Sequence, residues 1–285
     1  MNFFDFFRRK KEPRPAEQSK VLLPDGKLAS SKLAAVLPQL EPLVRPCIRI
    51  TASAANDLLL FDSKFGGYPY WPAEKPWPKD SEGRYMYPLA QLNFSQVPPL
   101  PGYPEKGILQ FYLSADDLYG LNMDHQTDQT NFRVVYYEDT RATALDNFHF
   151  LEQQQSDSDF PVHRQMELSF SVDKDYYSFF DVRFEGELPE EFMAGVQHGK
   201  EYAMIEDELV KLYPDDGHKI GGYAFFTQSD PRHNEAYRDY ILLLQIDSQA
   251  DDICWGDAGV GNFFIHPDDL VKKDFSRVLY NWDCT

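Results

Sequence analysis

Lys64-Phe-Gly-Gly-Tyr68 recurs 155 residues later as Lys219-Ile-Gly-Gly-Tyr223, each followed by apolar and aromatic residues. Two further blocks repeat in the same order. Gln91, within Leu89-Ala-Gln-Leu-Asn-Phe94, has a counterpart in Gln245, within Leu243-Leu-Gln-Ile-Asp247, at an offset of 154. Gly107-Ile-Leu-Gln-Phe-Tyr-Leu-Ser-Ala-Asp-Asp-Leu118 matches Gly259-Val-Gly-Asn-Phe-Phe-Ile-His-Pro-Asp-Asp-Leu270 without a gap, at an offset of 152. Three blocks in one order, drifting by only three residues, predict an internal duplication with repeats at about 47–140 and 200–285.

Each block has a physical reading. Paired glycines allow positive φ or close backbone approach, so Gly66-Gly67 and Gly221-Gly222 are expected in tight turns that launch aromatic strands. Gly107 and Gly259 open the third block, a strand whose Asp116 or Asp268 is placed to cap a following helical turn. Gln91 and Gln245 sit among aliphatic residues, and a buried amide must satisfy its donors and acceptors. Two roles are open: each amide ties backbone of its own Gly-Gly turn, or the amides join Lys64 and Lys219 in a ligand groove between the halves.

The rest of the chain agrees with a sheet. Aromatics reach 15%, with 22 Phe and 17 Tyr, and such residues suit a pleated, half-buried surface. Strands are expected at 47–51, 107–113, 132–137, 166–172, 240–246 and 261–265, broken by 20 Pro and 16 Gly. Helical spacing occurs over 28–44, after Ser30 and Ser31 as caps and with Pro38 and Pro42 to end it, and over 189–212. The fold class expected is mainly β, a β-rich α+β chain of roll- or sandwich-like sheets with few helices. Residues 1–20 form a basic, aromatic head, and 21–285 a single domain holding both repeats.

Charge narrows the partners. The chain carries −18 overall, yet residues 1–14 hold five basic against two acidic side chains, which leaves −21 on the remainder. A body that acidic repels phosphate backbones, so nucleic acid is excluded as the expected partner. No apolar run is long enough for a bilayer-spanning helix. The head, with Phe3, Phe4, Phe6 and Phe7 beside Arg8 to Lys11, reads either as a frayed terminus or as a surface anchor on anionic membrane through residues 3–11. Cys47, Cys254 and Cys284 are odd in number and widely spaced, which argues against a disulfide framework or zinc ribbon and for a reducing cytoplasm.

Chemistry-bearing residues are sparse. Gly256-Asp-Ala-Gly-Val-Gly261 has the look of a phosphate loop but leads into a strand. Asp215, Asp216 and His218 could join Asp230 and His233 in an acid–base or metal cluster, or form a solvated acidic turn. Trp71, Trp77 and Trp255 are either a stacking surface or packing anchors. Lys64, Trp71, Trp77, Gln91, Lys219, Gln245, Trp255 and Asp257 are the ligand-binding candidates; no metal site and no cofactor is expected. The copies differ most in their loops, Tyr70 to Pro78 and Val97 to Pro104 in the first, Phe225 to His233 and Cys254 to Gly259 in the second.

In Lys64 to Pro72, Leu89 to Phe94, Gly107 to Tyr112, Leu244 to Asp247 and Trp255 to Gly259, taken in that order, the chain resembles the bacterial YwqG-like family, over about residues 25–285. That resemblance implies a mainly β, roll-like, internally duplicated fold, and it implies no activity and no catalytic residues. The reading is a cytoplasmic binding module for a protein segment or a small neutral or cationic ligand. The alternatives are a hydrolytic or metal-assisted enzyme and an immunity-like protein that neutralises a basic partner.

Overall fold

The computed structural model describes residues 19–154, 160–176, 178, 180–185 and 200–285. The head up to residue 18, its aromatic–basic run included, and residues 189–199 of the second helical stretch lie outside the described residues. The chain forms two compact units, Met1–Pro42 with Pro189–Pro214, and Leu43–Leu188 with Asp215–Thr285. Among the described residues no helix is long and apolar enough to cross a membrane.

The smaller unit holds a hairpin and two helices. Strands β1 (Lys20–Leu22) and β2 (Leu28–Ser30) pair around Gly26, whose φ is +84°. Ser30 then caps α1 (Ser31–Leu40), its hydroxyl accepting from the Leu33 N–H at 3.2 Å. Leu33, Leu37 and Leu40 share the buried face, and the helix ends two residues beyond Pro38. Helix α4 (Lys200–Leu212) belongs to the same unit. Glu208 accepts the Ser30 N–H at 2.7 Å, and Lys27 reaches the Leu212 carbonyl at 2.6 Å.

The larger unit is built on one antiparallel, curled, half-barrel sheet of ten strands. In chain order they are β3 (Arg45–Ala54), β4 (Lys64–Phe65), β5 (Tyr87–Asn93), β6 (Ile108–Leu113), β7 (Phe132–Tyr137), β8 (Met166–Asp175), β9 (His218–Gly221), β10 (Ile241–Asp247), β11 (Val260–Ile265) and β12 (Leu279–Asp283). Short helices α2 (His149–Glu152), α3 (Val182–Glu185) and α5 (Pro267–Lys272) decorate the connections.

The strand order is β12-β11-β10-β9-β3-β8-β4-β5-β6-β7. It is symmetric about the β3–β8 pair: reading outward, β9 to β12 on one side answer β4 to β7 on the other. The register agrees. Lys64 faces Glu167, and Lys219 faces Arg49; these partners lie two residues before Ser169 and Thr51, which face each other in the central pair. Each first strand, β3 or β8, is therefore inserted beside the other half's Gly-Gly strand. β8, from Met166, thus holds the place in the sheet that mirrors β3, from Arg45.

Packing obeys the same relation. Phe111 and Phe263, equivalent at offset 152, touch with ring centroids 4.7 Å apart. They lie on the second strand from each end of the sheet, so their shared face is the concave one. Leu109, Phe111 and Leu113 of β6 enter this inner core, while Ile108 and Tyr112 alternate onto a second cluster with Trp71 and Trp77. With both faces covered, β6 and β11 are buried along their whole length.

Two local expectations are corrected. The Gly-Gly pairs close their strands instead of launching them: Gly66 and Gly67 follow β4, which ends at Phe65, and Gly221 is the last residue of β9. Helix α5 is capped by His266, whose ring accepts the Asp268 N–H at 3.2 Å, so Asp268 sits inside the first turn.

Candidate functional site

The amides of the two halves do equivalent work. Gln91 Oε1 accepts the Tyr70 N–H at 2.9 Å, and its Nε2 donates to the Leu60 and Asp62 carbonyls at 2.7 and 2.8 Å. Gln245 Oε1 accepts the Phe225 N–H at 2.8 Å, and its Nε2 donates to the Asp215 and Gly217 carbonyls at 3.1 and 2.7 Å. Each strand amide thus ties the backbone before its own Gly-Gly turn to the backbone after it. Gln110 and Asn262, again equivalent, add a second rung by donating to the Tyr70 and Phe225 carbonyls. Gln91 and Gln245 thus spend their polar atoms on the sheet and the turn backbone, while Asn262 Oδ1 is buried without a hydrogen-bond partner among the described residues.

The lysines part company. Lys219 and Asp175, both essentially unexposed, form an ion pair at 2.7 Å, and Asp175 also accepts from Arg49 at 2.6 Å and from the Tyr223 N–H at 3.0 Å. Lys64 is 1% exposed, and among the described residues its ammonium donates to the Leu59 and Tyr68 carbonyls. Burial, only partly offset by the nearby Asp62 carboxylate, pushes its pKa from the ordinary 10.5 down to about 8.

The reason lies against the second glycine of each turn. Gly66, Gly67, Gly221 and Gly222 all have φ between +61° and +73°. A β-carbon on Gly222 would stand 2.1 Å from Asp175 Oδ2, and one on Gly67 would stand 2.2 Å from Gln165 Oε1. A carboxylate fills this place in the second half and a neutral amide fills it in the first.

Beyond the turns the asymmetry grows. Tyr223 is wholly buried, its hydroxyl donates to the Leu43 carbonyl, and the Arg183 guanidinium lies 5.3 Å from its ring centroid. Leu100 and Tyr103 close over Gly221. Tyr68, its counterpart, is 39% exposed. Three clefts of about 410, 400 and 310 Å³ all have Tyr68 in their walls. The first is lined by Asp146, Asn147, Phe148, His149 and Glu152, the second by Ala54 to Asn56 with Arg164 and Gln165. Tyr87, Phe160 and His163 add to the third.

Tyr68 is held in place as well as exposed. Its ring stacks on Phe148 at 4.6 Å, and its hydroxyl donates to Glu152 Oε1 at 2.5 Å. Glu152 Oε2 also meets His149 Nδ1 at 2.6 Å. These two hydrogen bonds hold the Glu152 carboxyl below its usual range, Tyr68 first, while the same contact lifts the phenol to about 12. Tyr68 is a neutral phenol beside an ionised carboxylate. Arg164, across the cleft, is paired with Asp252 at 2.7 Å. An aromatic face flanked by carboxylates suits a cation.

The other sequence candidates lie elsewhere. Trp71 and Trp77 pack on each other at 5.0 Å, buried, with indole N–H groups donating to Lys75 and Met86 carbonyls. Trp255 packs apart from them, unexposed, against Tyr119 and Tyr280. Asp257 is exposed on the turn before β11. Gly107 has φ +83° with Tyr137 O only 2.5 Å from its absent β-carbon, and Gly259 is pressed against Asp283 O.

His218 accepts the Asp247 N–H at Nδ1 and meets Gln249 through Nε2, and burial holds its pKa down. Burial pushes the Asp215 carboxyl up, and the Asp216 carbonyl accepts from Arg49 at 2.9 Å. Asp230 is committed to buried Arg232 and to the Val182 N–H, while His233 is exposed. Among the described residues no three His, Cys, Asp or Glu side chains are grouped to hold a metal ion.

Tyr68, Glu152, His149 and Gln165 were not singled out from the sequence. The one available signal was Tyr68 itself, fifth residue of the repeated block, whose exposure depends on what the fold lays over it. No curated protein matches the chain. The family described as a domain of unknown function, DUF1963, matches residues 63–284, from the strand that carries Lys64 to the end of β12, and the chain belongs to that family.

Proposed function

We propose that this chain is a cytoplasmic binding module that holds a cationic or neutral protein segment, or a small ligand of that chemistry, in the clefts around Tyr68. The observation that supports it is the contrast between two equivalent turns. Gly221-Gly222-Tyr223 is sealed by the protein's own Asp175, Arg183, Leu100 and Tyr103, whereas Gly66-Gly67-Tyr68 opens onto three clefts. A sheet locked by the Gln91 and Gln245 ties supplies a rigid frame, and ligand sites favour concave surfaces on such frames. Ionised Glu152 with the Tyr68 and Phe148 rings offers a cation both a carboxylate and a π-face. The net charge of −18 draws basic partners from a distance, which also fits an immunity-like role. The matching halves fit duplication of an ancestral unit within one YwqG-like domain.

Isothermal titration with short peptides that carry Lys or Arg tests this, with acidic peptides as controls. A basic peptide is expected to bind and to weaken as salt rises. Tyr68→Ala and Glu152→Gln should each lower affinity by about tenfold or more, about 1.4 kcal/mol, with the circular dichroism spectrum retained. Equal binding by wild type and both variants would move the surface elsewhere.

A further inference from the structure

Cys254 and Cys284 lie far apart in the sequence, outside any recognised motif. In the fold both sulfurs sit against one residue, Gly256. Cys254 Sγ donates to the Gly256 carbonyl at 3.0 Å. Cys284 Sγ lies 2.8 Å from the point where a β-carbon on Gly256 would stand. The sheet forces this convergence. Val260 at the start of β11 faces Asp283 near the end of β12, so Cys284 continues that pair alongside Gly259. The Gly259 N–H donates to the Trp255 carbonyl at 2.7 Å, which folds the intervening turn back over the strand end.

The third cysteine differs in kind. Cys47 is buried, and burial, aided by Asp175, pushes its thiol up to about 12. Cys254 and Cys284 are both partly exposed, and solvent access is what an oxidant needs. Gly256, Asp257 and Ala258 are exposed residues of the turn that follows Cys254, and a disulfide requires Cα atoms about 4.4–6.8 Å apart.

We propose that Cys254 and Cys284 form a redox pair that closes to an intramolecular disulfide when a peroxide oxidises one of them. The thiolate of one cysteine attacks the peroxide O–O bond, giving a sulfenic acid and releasing the other oxygen as water after protonation. The second sulfur then attacks the sulfenyl sulfur, the S–O bond breaks, and the oxygen leaves as water with the second thiol's proton. Overall, two thiols and one hydrogen peroxide give one disulfide and two waters, sulfur losing two electrons and peroxide gaining them. A thiol reductant reverses the step. The link fastens the residue after β12 to the turn before β11, closing a loop that contains β11, α5 and β12, and it constrains the unfolded chain.

The test treats the full chain with stoichiometric hydrogen peroxide, alkylates remaining thiols, and maps peptides by mass. The expected product is a Cys254–Cys284 linked peptide with two hydrogens lost, a melting temperature raised by several degrees, and full reversal by dithiothreitol. Because Trp255 and Trp282 flank the turn, 6.3 Å apart, tryptophan fluorescence should shift with the same kinetics. In Cys284→Ser the link is absent, and a dimedone adduct of the sulfenic acid accumulates on Cys254; Cys254→Ser gives the converse on Cys284. Over-oxidised single cysteines in wild type with no linked peptide would overturn the proposal. So would a link that involves Cys47 or joins two chains on a non-reducing gel.

Discussion

Replacing Lys219 and Lys64 in turn by Met tests whether equivalent positions in the two halves carry opposite electrostatics. Lys219→Met removes one partner of a 2.7 Å pair with Asp175, both side chains unexposed. Breaking a buried pair by deleting one partner costs about 3–5 kcal/mol, because the surviving charge is left uncompensated. Arg49 and the Tyr223 N–H still serve Asp175, so the lower end, about 3 kcal/mol, is expected.

Lys64→Met removes a charge whose burial outweighs the pull of the nearby Asp62 carboxylate. A pKa lowered from 10.5 to about 8 corresponds to roughly 3 kcal/mol against the protonated form, at about 1.4 kcal/mol per unit. Met keeps most of the length and gives up two bonds to the Leu59 and Tyr68 carbonyls, at about 1 kcal/mol each. Leu59 is 70% exposed, so water can replace part of that loss. The net change near pH 7 is therefore between zero and about 1 kcal/mol of stabilisation.

The pH dependence carries a sign of its own. Above about pH 8 folded Lys64 has lost its proton while the unfolded chain keeps it up to about 10.5. Unfolding then takes up a proton, so Lys64 makes wild-type stability rise with pH across that window. Urea denaturation followed by circular dichroism, at intervals from pH 7 to 9.5, gives the difference between wild type and Lys64→Met. It should grow in favour of wild type as pH rises. A flat difference, or equal destabilisation by Lys64→Met and Lys219→Met at pH 7, would refute the assignment.

Gln245→Leu leaves the Phe225 N–H and the Asp215 and Gly217 carbonyls without their partner, at about 1–3 kcal/mol for each group that stays buried. A thermal melt lowered by many degrees is expected, and an unchanged melt would remove the tie. Gly67→Ala and Gly222→Ala share a positive φ, but their outcomes should differ. The Gln165 side chain, half-buried and held by one 3.3 Å bond, can swing from the new methyl, whereas Asp175 is fixed by Lys219, Arg49 and Tyr223. Urea titration should show Gly67→Ala losing about 1–2 kcal/mol for its backbone strain, with Gly222→Ala costing more; the reverse order would contradict the filling of the two turns.

Much of the sheet is legible along the chain. Phe132 to Tyr137 forms a strand with the bounds its alternation suggests, and Ser30 is the cap expected before the Leu33-Leu37-Leu40 stripe. Such features arise within a few residues, where side-chain chemistry and backbone preference act directly. The site around Tyr68 is not legible in that way. Tyr68 and Tyr223 close the same five-residue block, yet one is 39% exposed and the other is buried.

The amino-acid order by itself determined the repeating blocks, the strand-forming stretches, the positive-φ turns and the acidity of the chain. Tertiary structure decided which first strand inserts beside which half, with β8 reaching Lys64 and β3 reaching Lys219. It also decided that Asp175 neutralises one buried lysine while Gln165 occupies the matching place beside the other Gly-Gly turn, and that Cys254 and Cys284 both lie against Gly256. The physical reason is distance along the chain. Pairing and burial among residues many tens of positions apart depend on the whole sheet closing, and no local propensity encodes which distant side chain will fill a given space.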